Sequence, residues 1–243
     1  MNDEMVPVSQ NEMFCFCCAP ENGCFNECCR DISQCLMPYD ILRLKTRLGM
    51  TSHQFLKTYT SLHHGPESGL PMVEFKPDPA TGHVCPFAGE RGCAVYEDRP
   101  ASCRLYPLAR AVSRSRETGR VTEYYAVVRE PHCKGFDVHQ GPAVKDWIAA
   151  QDVGMYNAMN DKLMELVSLK NRIMPGKLQG AQADRFYLAC YDLDTFRDEI
   201  FRNGLLDGVQ VPPEILERVK TDDVALLDLG IAWIKDQLFG VGM

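Results

Sequence analysis

Apolar positions along the chain change their period, and the changes divide it. In MPYDILRLKTRLG, residues 37–49, Ile41, Leu44 and Leu48 share one helical face. Pro38 suits the first turn of that helix, Asp40 is favourable there as a carboxylate, and Gly49 suits the C-terminal cap. TSHQFLKTY follows, with Thr51 and Gln54 at capping-box spacing, and predicts a second helix. His63 and His64 in SLHHGP read as a helix end, where histidine suits the dipole.

From Gly65 to Arg104 the chain is punctuated by Pro and Gly, leaving room for short strands such as MVEF and CAVY between turns. VTEYYAVV, residues 121–128, is a stronger strand signal, rich in β-branched and aromatic residues. After Gly141 helical spacing takes over. Val144, Trp147, Ile148, Met155, Met159, Leu163 and Leu166 follow it, as do Val224, Leu227, Ile231, Ile234 and Leu238. Between these runs YLACYDLDTFRDEIFRNG predicts one helix ending at Gly204, and MPGKLQGAQ marks a break. The apolar and aromatic residues after Gly141 are expected in a core rather than around a cofactor. The pattern predicts an α+β fold, mainly helical. Residues 1–13 are expected as a loose tail and 14–140 as a cysteine-rich region of loops and short strands. Residues 141–243 are expected as a helical region packed against it.

Composition narrows the function classes. The 243 residues are 45% hydrophobic and carry a net charge of −7, with a pI near 5.4. Nucleic-acid binders are usually basic, so no nucleic-acid partner is expected. No run of about eighteen apolar residues is present, so no membrane span is expected. The acidic N-terminal stretch has neither the charged nor the apolar region of a secretory signal. A reducing, cytoplasmic location follows as the expectation, and disulfides rarely persist there.

CFCCAPENGCFNECC, residues 15–29, holds six cysteines, including the adjacent pairs Cys17-Cys18 and Cys28-Cys29. Disulfide formation, metal ligation, a catalytic thiol and simple packing are the alternatives. Neighbouring cysteines bridge each other only in a strained ring, and packing does not ask for so dense a group of small hydrophobes. Ligation of a metal ion or cluster is the reading that remains strongest. A second group, Cys85, Cys93 and Cys103 in CPFAGERGCAVYEDRPASCRLYP and Cys133 in EPHCKG, lies on expected turns and strand ends. Wrapping a backbone around a metal needs such loops, because thiolates must converge within about 2.3 Å of zinc or similarly close to iron. The spacing matches neither a zinc ribbon nor a bacterial ferredoxin, so the metal stays open between an iron–sulfur cluster and zinc or iron ions. Arg30, Arg99 and Arg104 flank the cysteines and could offset the charge of a thiolate-bound cluster; surface pairing with Glu97 or Asp98 is the alternative. His83 and His132 could each replace a thiolate at zinc, although hydrogen-bonded histidine is the commoner outcome. No GxSxG, Walker A, GxGxxG or HExxH motif is present, so a conventional hydrolase, kinase or Rossmann enzyme is unsupported.

The run F-x-C-x5-C-x3-C-C from Phe16 to Cys29, then PYDILRLK, then CPF…GCAVYEDRPASCRLYP, resembles the YkgJ-type cysteine-cluster proteins, described as zinc- or iron-chelating. YDLDTFRDEIF and LLDLGIAWIKDQLFG look like the tails of longer bacterial members. The resemblance implies a metal set of Cys18, Cys24, Cys28, Cys29, Cys85, Cys93, Cys103 and Cys133, leaving Cys15, Cys17, Cys35 and Cys190 outside it. It implies metal binding and no particular reaction. Three classes follow: an iron–sulfur protein, a structural zinc module that mediates interactions, and a cluster-dependent methyltransferase like the flagellin lysine methylases. A redox or protein partner is left open.

Overall fold

A computed structural model describes residues 4–30, 34–76, 79–115 and 117–242. In chain order the elements begin with β1 (Glu4–Val8), β2 (Cys35–Leu36), α1 (Pro38–Leu48), α2 (Ser52–Tyr59), β3 (Thr60–His64) and β4 (Pro71–Phe75). Next come β5 (Ala88–Gly89), β6 (Gly92–Cys93), α3 (Ala101–Leu105), β7 (Leu108–Arg114) and β8 (Val121–Arg129). The remainder is helical: α4 (Val144–Ala150), α5 (Gly154–Ile173), α6 (Ala181–Cys190), α7 (Leu193–Asn203), α8 (Pro213–Arg218) and α9 (Asp223–Phe239). The architecture is α+β, mainly helical, as the periodicity predicts.

The chain divides into two compact units, Met1–Ile32 with Pro77–Asn157, and Ser33–Lys76 with Ala158–Met243. These bounds differ from a single change at Gly141. Ser33–Lys76, expected with the cysteine segments, clusters with the C-terminal helices. Residues 141–157, expected with those helices, cluster with the cysteine segments.

The first unit is built on an antiparallel sheet ordered β1-β8-β7. The register pairs Glu4 with Arg129 and Val8 with Tyr125 on one edge of β8, and Leu108 with Val127 on the other. The expected loose tail is therefore corrected over residues 4–8: backbone pairing along β8 orders them. Residues 1–3 of that tail lie outside the described residues. The expected strand in 121–128 is β8, where Tyr125 and Val127 turn inward and Tyr124 outward. Phe14, Phe16, Leu108, Val127 and Val144 form the core, with Phe136, Trp147 and Ile148 packed against it. Trp147 thus belongs here because its ring meets Phe14 edge-on at 5.1 Å. CAVY is not a strand: β6 ends at Cys93, and Tyr96–Asp98 turns as a short 3-10 helix.

In the second unit α1 and α2 form where the sequence places them. Asp40 Oδ2 accepts from Met37 N–H at 2.8 Å, and Gly49 closes α1 at φ 64°. Thr51 Oγ1 and Gln54 exchange capping bonds of 3.2 and 3.0 Å. His63 and His64 are a correction: α2 ends at Tyr59, and both histidines lie in β3, paired with β4 in a sheet ordered β2-β4-β3. The predicted single helix over YLACYDLDTFRDEIFRN is also corrected. It breaks between α6 and α7 at Tyr191-Asp192. The Asp192 carboxylate is engaged by Ser52 Oγ–H at 2.7 Å and faces His53 Nδ1 at 3.1 Å. Leu226, Leu227, Leu229, Ile231, Trp233 and Ile234 are all buried, so α9 is covered on most of its circumference.

Candidate metal centre

Aromatic residues seat the first cysteine segment. Phe14 stacks on Phe16 at 5.6 Å, and Phe16 meets Phe136 at 5.1 Å. Backbone bonds then run alongside residues 135–142. Phe14 N–H donates to Pro142 O at 2.8 Å, and Cys17 N–H to Gly135 O at 2.9 Å. A Cβ on Gly141 would stand 2.0 Å from Phe14 O, so the approach needs glycine.

Beyond Cys17 the chain turns tightly. Asn22 Nδ2 donates to Cys17 O at 2.7 Å, and Asn26, in the left-handed region at φ 66°, starts the 3-10 turn Glu27–Cys29. Two hydrogen bonds tie this loop to the second cysteine segment: Cys85 N–H to Cys29 O at 2.8 Å and Asn26 Nδ2 to Gly89 O at 2.9 Å. Lys134 N–H donates to Cys24 Sγ at 3.1 Å, which brings in the turn carrying Cys133. Segments more than fifty positions apart therefore meet.

Cys18, Cys24, Cys28 and Cys133 line one recess together with Phe16, Asn22, Tyr106, His132 and Gly135. Burial raises the Cys18 thiol above its ordinary value, and neighbouring Cys28, Cys24 and Cys133 raise it further. The Cys29 thiol donates to Cys28, bringing Cys28 down to about 7 and pushing Cys29 up. Burial adds to the rise at Cys29, as do nearby Cys85 and Cys103. Cys85 is raised by burial and by Cys93. Cys28 thus neighbours Cys18, Cys85 and Cys93, and Cys29 neighbours Cys85 and Cys103. All twelve cysteines are unbridged thiols. Among the described residues, no three of these sulfurs lie within 4.8 Å of one another. The loop expectation holds for most of them, but Cys103 lies within α3.

The flanking arginines differ in their placement. Arg30 is exposed and pairs with Glu27 at 3.0 Å. Arg99 is buried, donates to Tyr96 O at 2.6 Å and Gln151 Oε1 at 3.0 Å, and pulls the Cys93 thiol down against the larger upward push of burial. Arg104, also buried, donates to the backbone oxygens of Arg99, Gln151 and Glu97, and its guanidinium lies 4.8 Å over the Tyr156 ring. These bonds go to backbone oxygens around the 97–104 turn rather than to a sulfur. Tyr106 and His132 border the recess as well. Tyr106 O–H donates to Glu130 Oε2 at 2.6 Å, and buried His132 Nε2 has no hydrogen-bond partner. Burial, then Glu130 and Cys133, raises the Tyr106 phenol. Tyr106 stands inside CRLYP and Glu130 inside EPHC, so adjacency to the cysteine motifs was the available signal.

The donor set suits a thiophilic metal: cysteines on turns, drawn from two segments, with a histidine beside them. Residues 17–134 match the family model described as "Putative zinc- or iron-chelating domain". This segment is similar to the CxxCxxCC domain. That domain is the one of the YkgJ-type proteins, and the matched segment contains all eight cysteines of the expected metal set. No curated protein and no solved structure matches the chain. The CxxCxxCC domain spans the first unit's cysteine segments and also the stretch from Ser33 to Lys76 that belongs to the second. Among the described residues no helix is long and apolar enough to cross a membrane.

Proposed function

We propose that the CxxCxxCC domain holds an iron–sulfur cluster on thiolates drawn from Cys18, Cys24, Cys28, Cys29, Cys85, Cys93, Cys103 and Cys133. The observation that carries this reading is the spacing of the thiols. Four ligands of one tetrahedral ion must approach to about 3.4–3.8 Å of each other, given metal–sulfur bonds near 2.3 Å. Thiolates on different irons of a polynuclear cluster stand farther apart. The two cysteine groups meet through Cys28 and Cys29, yet no three sulfurs among the described residues fall within 4.8 Å. Thiols from two segments converge without forming a ready tetrahedral set, an arrangement that a polynuclear cluster accommodates. When bound, such a group supplies one-electron exchange. Arg99 offsets charge at Cys93, while Tyr106 and His132 line the recess beside Cys133.

Paired substitutions test whether both segments serve one centre. Cys28→Ser and Cys103→Ser, each made in the full chain and purified without oxygen, are expected to lose most of the bound metal. Cys190→Ala is expected to retain the parent's content, because Cys190 is fully buried in α6 outside the motif. Full metal occupancy in both serine variants would overturn the proposal.

A further inference from the structure

The second unit carries a separate set of donors. Cys35, His63 and Glu74 each offer one ligand atom, and the three atoms lie within 4.8 Å of one another. They come from three adjacent strands of one sheet. Cys35 and Ser61 both face Glu74 across the ladder, and His63 stands two positions beyond Ser61 on the same strand. The alternation of the pleat places all three on one face. Leu36, Val73 and Phe75 alternate with them and are buried, which fixes the register and keeps the donors on the opposite face. Each of the three residues is half-buried.

Two details distinguish this trio from an ordinary cross-strand pair. His63 Nδ1 is buried without a hydrogen-bond partner, 3.7 Å from Glu74 Oε2. That distance is too long for a hydrogen bond. The other carboxylate oxygen, Oε1, accepts from Ser61 Oγ–H at 3.3 Å, which orients the carboxylate and leaves Oε2 toward the histidine. A buried imidazole nitrogen without a hydrogen-bond partner, a carboxylate oxygen and a sulfur therefore converge. Burial raises the Cys35 thiol and Glu74 raises it further, so an isolated thiolate is disfavoured beside the carboxylate.

We infer that Cys35, His63 and Glu74 form a second metal site, a mixed sulfur–nitrogen–oxygen site for a zinc-like divalent cation with a fourth position open. Zinc accepts this ligand mixture, and since the atoms lie within 4.8 Å of one another, closure to tetrahedral contact at about 3.4–3.8 Å asks for a contraction of at most about 1–1.4 Å. Two anionic ligands balance the charge of a divalent ion. The open fourth position would hold water, as in sites with three protein ligands. Hexacoordinate, oxygen-seeking cations such as magnesium are disfavoured by the sulfur and the imidazole. This site is independent of the cluster: it lies in the other unit and shares no residue with the eight cysteines.

Zinc titration of the full chain against a chromophoric chelator reads it. The parent is compared with Cys35→Ser, His63→Gln and Glu74→Gln, and with His139→Gln as a control at an exposed histidine. Far-UV circular dichroism and urea unfolding without added zinc establish that each variant is folded. The expected result is one fewer zinc equivalent, or at least tenfold weaker binding of that equivalent, in each of the three variants and parental behaviour in the control. Cys28→Ser should keep this equivalent while losing cluster metal, so failure here is separable from failure of the cluster reading. Unchanged stoichiometry and affinity in all three variants would overturn the inference. An effect confined to Cys35→Ser would overturn it equally, since the site needs all three donors.

Discussion

Single charged residues account for much of the order in the second unit. Lys45, almost fully buried, pairs with Asp194 at 3.0 Å and with Asp223 at 2.6 Å, and Arg197 bonds the same two carboxylates. Asp194 also accepts Ser52 N–H at 2.7 Å at the start of α2, where a carboxylate complements the helix dipole. Burial alone would raise Asp194, but the bonds from Ser52 and Lys45 outweigh it and hold the carboxyl below its ordinary value of 3.8. A depressed carboxyl contributes stability that is fully present above the unfolded value and is lost as pH falls through the lower folded one. Asp194→Asn should therefore cost about 1–3 kcal/mol at pH 7. The difference from the parent should shrink as pH drops below 3.8. Urea unfolding across pH reads both, and a difference that persists unchanged in strong acid would contradict the assignment. The pairing was only half legible. PYDILRLK and YDLDTFRDEIF stand out as motifs, but no local pattern says that Lys45 meets Asp194 across some 149 positions. At Cys190 the reading separates packing from ligation: Cys190→Ala should lower stability by about 1 kcal/mol and leave metal content unchanged.

The elements show where local signals suffice. Caps at Pro38, Gly49, Thr51 and Gln54 are chemistry of neighbours in sequence, and α1 and α2 start and stop accordingly. The strand β8 was readable from its own composition. Elements decided by distant partners were not. β1 exists because β8 offers it an edge, and His63 and His64 are in a strand because β4 pairs with them. The break before α7 depends on Ser52 and His53 engaging Asp192. The cysteine loop has the same dependence. Its entry lies along residues 135–142, with Gly141 in contact with Phe14. Gly141→Ala should force Phe14 and Cys15 outward, costing about 1–3 kcal/mol as an overpacked contact does. The same substitution should lower metal retention, measured by unfolding and by metal analysis side by side. Parental values for both would show that the loop is not seated through this contact.

At the scale of the whole molecule the chemistry was more legible than the division of the chain. Cysteine density and turn-rich surroundings point to ligation without any knowledge of the fold. The eight family-position cysteines lie within the matched domain, and the structure draws the two segments together at Cys29 and Cys85. The bounds of the units were hidden because the chain leaves the cysteine region after Ile32 and returns at Pro77. That excursion carries Cys35, His63 and Glu74, three donors that read in sequence as a spare cysteine, a helix end and an ordinary strand carboxylate. The identity of the metal is the central claim, and one measurement addresses it: iron, zinc and acid-labile sulfide content together with the visible absorption spectrum of the full chain purified without oxygen. An iron–sulfur cluster predicts a brown protein with stoichiometric iron and sulfide and charge-transfer absorption that bleaches on reduction. A colourless protein with zinc but neither iron nor labile sulfide would contradict it.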